Sequence, residues 1–431
     1  MTSEAESERS PLFYGWYILA ASFVILFFNA GARSSISVMF KPIAVEFGWN
    51  RSTVSFAFFL QMVLFAISLT LVGRFYDRYG PKWVIIISTF FISIGYMFIS
   101  FIDSLWQFLL FYGIIAAVGL GGTSVTIFAV LTSKWFEKGR GLAVSLSLSG
   151  NCMGQFVLVP VMTLFVIHYG WRISHFLIGL VMLVVNIALA LLVIKGDPDD
   201  LGLAPYGLQE EYVPEEQDRL KASVPSRDLR LTEAMGTRSF WLIFMFMFFC
   251  GTADFLVTTH LIAFVTDHGI SPTTGGNMLA WFGLMSMVGI LVAGPVSDLI
   301  GIKIPIILVF LLRVLVLLLI VKYQDVVSLY IFALIFGFTF LVTAPLLPVL
   351  AGSLFGFSHV GLISGFIMTF HYFGGGLGAY VGGLIFDKTG SYQNAFLLFA
   401  IMSLLAVFCC ILVKEKRHHP VLKQPVHESP A

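Results

Sequence analysis

Along this chain long apolar runs alternate with short polar breaks. The runs, about 17 to 26 residues each, have the length of a helix that crosses a bilayer. They predict helices near 14–40, 53–72, 83–101, 105–131, 141–166, 173–194, 239–265, 275–296, 304–321, 326–352, 360–386 and 392–413. Apolar residues occupy most sides of these helices rather than one stripe, which is the pattern of helices surrounded by lipid and by one another. The predicted fold class is an all-α membrane protein of twelve transmembrane helices. An even number of crossings leaves both termini on one side.

Two of the polar breaks repeat each other. The stretch from Gly73 to Lys82, GRFYDRYGPK, has the pattern GxxxDxxGxK, and the pattern returns 221 residues later at Gly294, Asp298, Gly301 and Lys303. The same offset carries Glu46 onto Asp267 and Gly48 onto Gly269. An offset of 220 carries Gly141 onto Gly361, Gly154 onto Gly374, Gly170 onto Gly390 and Phe176 onto Phe396. A register held over that distance indicates two related six-helix halves. The expected division is a tail at 1–13, a first half at 14–195, a linker at 196–238, a second half at 239–413 and a tail at 414–431. The linker opens with GDPDDLGLAPYG and has no steady periodicity.

Composition agrees with a lipid setting. Of the 431 residues 58% are hydrophobic and only 11% charged, against roughly 45–50% and 25% in an average soluble chain. The net charge of +1 gives no reason to expect a nucleic-acid partner. All four cysteines, Cys152, Cys250, Cys409 and Cys410, fall inside apolar runs without metal-ligand spacing, and read as small core or lipid-facing residues. The polar, acidic start of the chain is unlike a cleaved signal peptide. Lysine and arginine set the orientation: eighteen fall in segments on the side of the termini and five, Lys41, Arg51, Arg172, Lys322 and Lys388, on the other. That bias puts both termini in the cytoplasm of a multi-pass protein of the cell membrane.

The twelve spans as six plus six, the long central segment and the repeated turn together resemble the major facilitator superfamily over nearly the whole chain. The family's turn between its second and third helices has the form GxxxDRxGRK. Here Gly73, Asp77, Arg78, Gly80 and Lys82 match, Pro81 replaces a basic residue, and the second copy lacks an arginine after Asp298. The resemblance implies a conformational latch: the turn aspartate meets the positive start of a neighbouring helix and holds one side shut until the halves rock. The alternative is that the motif only shapes the turn. Within the superfamily the chain is similar to monocarboxylate and oxalate/formate-type carriers. The similarity rests on YGW at Tyr14 to Trp16, FGWNRS at Phe47 to Ser52, KWFEKGRGLA at Lys134 to Ala143, THLIAFVTDHGIS at the end of the seventh span, and HYFGGGLGAYVGGLIFDKTGSY at His371 to Tyr392. Those carriers hold a substrate carboxylate with an arginine four residues before the second motif glycine, where this chain has Ile290. Where animal members have a lysine in the first helix it has Ser34, preceded by Arg33.

Ionisable groups inside a membrane cost at least about 2.5–3.5 kcal/mol at the helix centre, so each is a candidate site. They are Arg33, Asp254, His260, Arg313 and His371, with Asn29, Asn151 and Gln155 as uncharged companions. The offset of 221 carries Arg33 onto Asp254, and in the resembled fold their helices approach across a central cavity, so the two are expected to pair. Either Arg33 binds an anion and releases Asp254 to take a proton, or the pair is a static bridge or gate. Asn151 and His371 also correspond, and Gln155 continues the Asn151 face one turn on. His260 is placed in an outer vestibule or interface, as a gate or proton group. Arg313 either replaces the missing arginine or meets a backbone carbonyl. Tyr112 donates into the cavity or sits in an interfacial aromatic belt. Glycines at Gly119, Gly121 and Gly122, and at Gly374, Gly375, Gly376 and Gly378, allow close helix approach. No nucleophile–base pair, nucleotide motif or metal cluster stands out. The expectation is a non-enzymatic monomeric carrier without cofactor or metal, moving a small organic anion, a monocarboxylate, by alternating access with a proton or another ion. The rivals are an exchanger or exporter of dicarboxylates or amphipathic compounds, and a non-transporting membrane sensor.

Overall fold

In the computed structural model, which describes residues 13–207, 229–356 and 359–413 apart from the side chains of Thr70, Asp77 and Asp298, the chain is helical almost throughout. The tails at 1–12 and 414–431 and the linker stretch 208–228 lie outside the described residues, as do the side chains of the latch candidates Asp77 and Asp298. Twelve spanning helices are present among the described residues. They are α1 Gly15–Phe47, α2 Arg51–Tyr76, α3 Arg78–Ile99, α4 Leu105–Trp135, α5 140–169, α6 171–192, α7 Arg238–Asp267, α8 Pro272–Ile300, α9 Lys303–Lys322, α10 Val326–Phe355, α11 Val360–Thr389 and α12 Gln393–Leu412.

The repeated turns are joints rather than loops. Gly80 (φ 76°, ψ 168°) and Gly301 (φ 82°, ψ 165°) take the same positive-φ extended conformation, which a side chain strongly disfavours, and the helix resumes at once on either side. The motif lysines then tie each half together. Lys82 Nζ donates to the Leu191 carbonyl at 3.0 Å, and Lys303 Nζ to the Ile411 carbonyl at 3.0 Å and the Val413 carbonyl at 2.6 Å. In both halves a cation thus meets free carbonyls at the end of the last helix, the negative pole of its dipole. Replacing Gly80 with alanine should cost about 1–3 kcal/mol through backbone strain. Gly73→Ala should be neutral or better, because a methyl group there would meet nothing within 4 Å. The two melting temperatures of the detergent-solubilised variants test this; equal values would remove the strain.

The same offset appears in the helix crossings. A Cβ on Gly154 would lie 2.0 Å from the Phe27 carbonyl oxygen, and one on Gly374 2.5 Å from that of Phe248. These are the α1–α5 and α7–α11 crossings, and their positions correspond at both partners. One turn on, the small residue changes sides: Gly378 packs on Thr252 of α7, whereas Gly31 of α1 packs on Leu158 of α5.

Three departures from the expected helices have local causes. The first helix continues past position 40, through Pro42, to Phe47, because Gly48 (φ 64°) is the first residue to take a left-handed cap. Gly170 (φ 78°) replaces the expected loop between the fifth and sixth spans by a joint like the one at Gly80. Most telling for function, α4 and α10 are not continuous. Helix α4 runs through a π-helical stretch, Leu109–Ile115, and breaks at Thr123 and Ser124 before Val125–Trp135. Helix α10 breaks at Leu341 between Val326–Phe340 and Thr343–Phe355.

The apolar core is one cluster drawn from both halves at the end opposite the repeated motif. At the motif end it divides into two, one per half. Gly73 on α2, Gly141 on α5, Gly294 on α8 and Gly361 on α11 face open space at that end. The two halves therefore meet at the far end and part toward the motif end.

Candidate functional site

Between the halves lies a cavity of about 150 Å³ lined from α1, α2, α4, α5, α7, α8, α10 and α11. Both helix breaks face it, through Thr123, Ser124 and Val125 on one side and Leu341, Thr343 and Ala344 on the other. Broken helices beside a cavity expose backbone groups that continuous helices would satisfy internally, which is where membrane carriers hold polar ligands. The breaks were not read from the sequence. The available signals were the Gly-Gly-Thr-Ser run before Val125 and Pro345 just after Thr343.

Of the expected site residues, Arg33, Asn29, Asn151, Asp254 and His371 line this cavity. Arg33 also lines a smaller space of about 30 Å³ with Ser34, Gln155, Thr258 and Thr259, so it borders both. Gln155 reaches the other half instead, its Nε2 3.5 Å from the Leu279 carbonyl. Tyr112 lines neither space. It is fully buried, stacked on Phe108 at 5.3 Å, in the π-helical stretch of α4.

The expected pairing of Arg33 with Asp254 is not what the structure shows. Asp254 Oδ1 is 2.9 Å from Nη1 of Arg313, and both side chains are buried. Arg313 Nε also donates to Thr339 Oγ1 at 3.1 Å, and Nη2 to the carbonyls of Thr339 at 2.8 Å and Phe340 at 3.2 Å, beside the break in α10. Those two carbonyls belong to the last turn of Val326–Phe340, where acceptors are left free. Correspondence of position places Arg33 and Asp254 at matching depth, but Asp254 is turned toward α9. Arg33 has no hydrogen-bonding or ionic partner among the described residues.

Cys250, expected to be a small core or lipid-facing residue, is buried in the core and belongs to the same cluster. Its thiol donates to Asp254 Oδ2 at 3.2 Å and lies 3.2 Å from Arg313 Nη1. Cys250, Asp254 and His371 bring possible metal-ligand atoms within 4.8 Å of one another. The Arg313 guanidinium, however, already supplies the positive charge that a metal would bring, and a second cation there would be repelled. The cluster is better described as an ion pair with a histidine beside it. His371 Nδ1 is 3.2 Å from the Met247 carbonyl, which can only accept, so Nδ1 carries the hydrogen. Nε2 then faces Asp254 Oδ2 at 4.0 Å and is the nitrogen free to gain a proton.

His260 lines neither cavity. Its Nε2 donates to the Ala379 carbonyl at 2.9 Å, and Nδ1 accepts from the Tyr392 hydroxyl at 2.8 Å, which in turn accepts from Arg51 Nη1 at 2.9 Å. This chain of bonds fixes one neutral tautomer and makes His260 part of a seal between the halves. In that seal Asp267 of α7 meets Lys41 at 3.0 Å and Arg51 at 2.6 Å, while the Asp387 carboxylate accepts the backbone N–H groups of Arg51 and Ser52 at the start of α2. Repeat symmetry shows how the seal arises. Glu46, the counterpart of Asp267, is satisfied within its own half by Arg172 at 2.8 Å and by the Trp171 indole. Tyr392 stands where the second half would need that arginine, so Asp267 is left to pair across the interface. Asp267→Asn should loosen the far end: a cysteine placed at Ser55 should react faster with a polar thiol reagent than in the parent, and an unchanged rate would refute the seal.

Comparison with known proteins agrees with this architecture. The sequence profile of the Major Facilitator Superfamily matches residues 22–264 and again 243–430. An uncharacterized MFS-type transporter, YcxA of Bacillus subtilis, is 25% identical over 384 residues, 88% of this chain and 90% of its own. Monocarboxylate transporter 4 of Rattus norvegicus is 24% identical over 66% of this chain and 58% of its own length, and monocarboxylate transporter 11 of Homo sapiens 27% identical over 43% and 40%. Among solved structures, a bacterial homolog of the human lysosomal transporter Spinster superposes with a TM-score of 0.72 at 14% identity, over 93% of this chain and 97% of the other. A D-xylose–proton symporter gives 0.72 at 14%, over 93% and 98%.

Proposed function

The chain belongs to the Major Facilitator Superfamily, and from that premise we propose that it is a secondary active carrier which moves a small organic anion, a monocarboxylate, by alternating access with a coupled proton. The observation that carries this reading is the charge balance of the cavity. Asp254 is neutralised by Arg313 behind the cavity wall, which leaves the guanidinium of Arg33 as an unpaired cation facing the space between the halves. A single unpaired cation suits one carboxylate. The relatives named monocarboxylate transporters support the same class.

In this mechanism the carboxylate docks on Arg33 from the open motif end while the far-end seal is closed. Protonation at Asp254 or His371 alters the Arg313 cluster beside the break in α10, and the halves rock about the cavity. The repeated turn acts as a latch at the motif end, which is the cytoplasmic side, with both termini on it. Purified protein in proteoliposomes should accumulate a labelled monocarboxylate when the lumen is alkaline, and a protonophore should abolish the accumulation. Uptake indifferent to the pH gradient would remove the proton, and the absence of any uptake or exchange across a panel of carboxylates would remove the carrier.

A further inference from the structure

The cavity walls go further than the class of anion. Resting on the carrier reading above, we propose that the substrate is a monocarboxylate whose body is an apolar group about the size of a six-membered ring, with its carboxylate docked between α1 and the broken turn of α4.

The polar side of the cavity is built for one carboxylate. Asn29 lies one turn before Arg33 on α1. It is only 5% exposed, its Oδ1 accepts from Asn186 Nδ2 at 2.9 Å, and its own Nδ2 has no partner among the described residues. Ser124 is 7% exposed, and its hydroxyl likewise has no partner among them. Ser124 is also the residue before Val125–Trp135, an eleven-residue helix that receives no side-chain cap. Its first N–H groups and the positive end of its dipole are therefore available to an anion. Arg33, Asn29, Thr123, Ser124 and Val125 all line one cavity, and the Asn29 amide and Ser124 hydroxyl are buried without an acceptor beside it. Buried donors left in that state are costly unless a ligand reaches them.

The remaining walls offer a carboxylate little. Phe65, Phe255, Phe340, Leu120, Leu148 and Met368 line most of the rest of the space. Ile290 lines it too. The other polar residues there, Asn151, Asp254, Thr343, His371 and Tyr372, add a carboxylate of the protein's own but no second guanidinium or ammonium group. A second carboxylate would meet hydrocarbon or the Asp254 carboxylate there, and a small hydrophilic acid would leave the apolar walls uncovered. The volume is about 150 Å³, and an engineered apolar cavity of about that volume in an unrelated protein holds a benzene ring. The aromatic walls can also take a ring edge-on, as Phe65 and Tyr372 already take each other with centroids 4.7 Å apart.

The test is a binding titration of the purified full-length chain, read by ligand-dependent thermal stabilisation. The probes are 3-phenylpropanoate, propanoate, oxalate, phenylsuccinate and the neutral 3-phenylpropanamide. The expected result is that 3-phenylpropanoate binds at least tenfold more tightly than each of the other four. Propanoate or oxalate coming within tenfold, or no binding of 3-phenylpropanoate at millimolar concentration, overturns the ring-sized body. Phenylsuccinate coming within tenfold overturns the restriction to one carboxylate. Should propanoate match 3-phenylpropanoate while the amide fails, the anion reading survives this inference. An amide within tenfold of the acid would instead sink the anion reading itself. For the dock, Ser124→Ala should weaken 3-phenylpropanoate at least threefold and Ser124→Thr restore it; an alanine variant with the parent's affinity would remove α4 from the dock.

Discussion

Arg33→Gln is expected to remove carboxylate binding while leaving the fold at least as stable as the parent. Charge-assisted hydrogen bonds contribute about 1.5–3 kcal/mol, which corresponds to a loss of roughly 10- to 150-fold in affinity. The stability half of the expectation follows from isolation. Arg33 bonds to nothing among the described residues and is half-buried beside two cavities, so neutralising it strands no partner and relieves an unpaired cation of its desolvation. Arg33→Lys keeps the charge but loses the two-pronged donor that fits a carboxylate, and should restore binding only in part. Thermal unfolding with and without carboxylate ligand separates the two effects. A variant that binds as the parent does, or that loses binding only because it no longer folds, would end the assignment.

The contrast with Arg313 shows which parts of the site the sequence could reveal. The architecture was legible because it rests on positions that repeat: the joints at Gly80 and Gly301, the lysines that close each half, and the crossings at Gly154 and Gly374 all obey the offset read from the chain. The site was less legible because it depends on where symmetry is broken. Arg33 and Asp254 correspond, yet the partner of Asp254 comes from α9, which has no equivalent cation in the first half. A signal was nevertheless present. Pro305, Ile306, Val309, Phe310, Arg313, Val316, Leu317 and Ile320 form the buried stripe of α9 at helical spacing, and Arg313 sits in its middle. An arginine on the inward stripe of a membrane helix needs a carboxylate, and the spacing of Cys250 and Asp254, four residues apart on α7, puts both on one face toward it. The breaks in α4 and α10 were hidden for a different reason. Hydropathy is blind to a change of helical register when the residues on both sides remain apolar.

The Asp254–Arg313 pair should dominate the stability of the second half, and a double-mutant cycle is the measurement that shows it. Both side chains are buried, so removing one leaves the other charged and unanswered in a water-poor setting. Each of Arg313→Gln and Asp254→Asn should cost about 3–5 kcal/mol. Arg313→Gln is expected to be the worse of the two, since it strands an aspartate and also abandons the carbonyls of Thr339 and Phe340 at the α10 break. The double variant should recover part of the loss, with an interaction energy of roughly 0.5–3 kcal/mol. Strictly additive losses would mean that the two groups do not act as a pair. Transport should follow a different pattern from stability. Asp254 lines the cavity and Arg313 does not, so Asp254→Asn removes a site that a proton can reach, and its effect should fall on coupling. Substrate exchange down equal gradients needs no net proton movement and should persist in that variant, whereas accumulation driven by an alkaline lumen should disappear. If pH-driven accumulation survives in Asp254→Asn, the proton is carried elsewhere. His371 is then the group to change, because it lines the same cavity and its Nε2 lies 4.0 Å from Asp254 Oδ2.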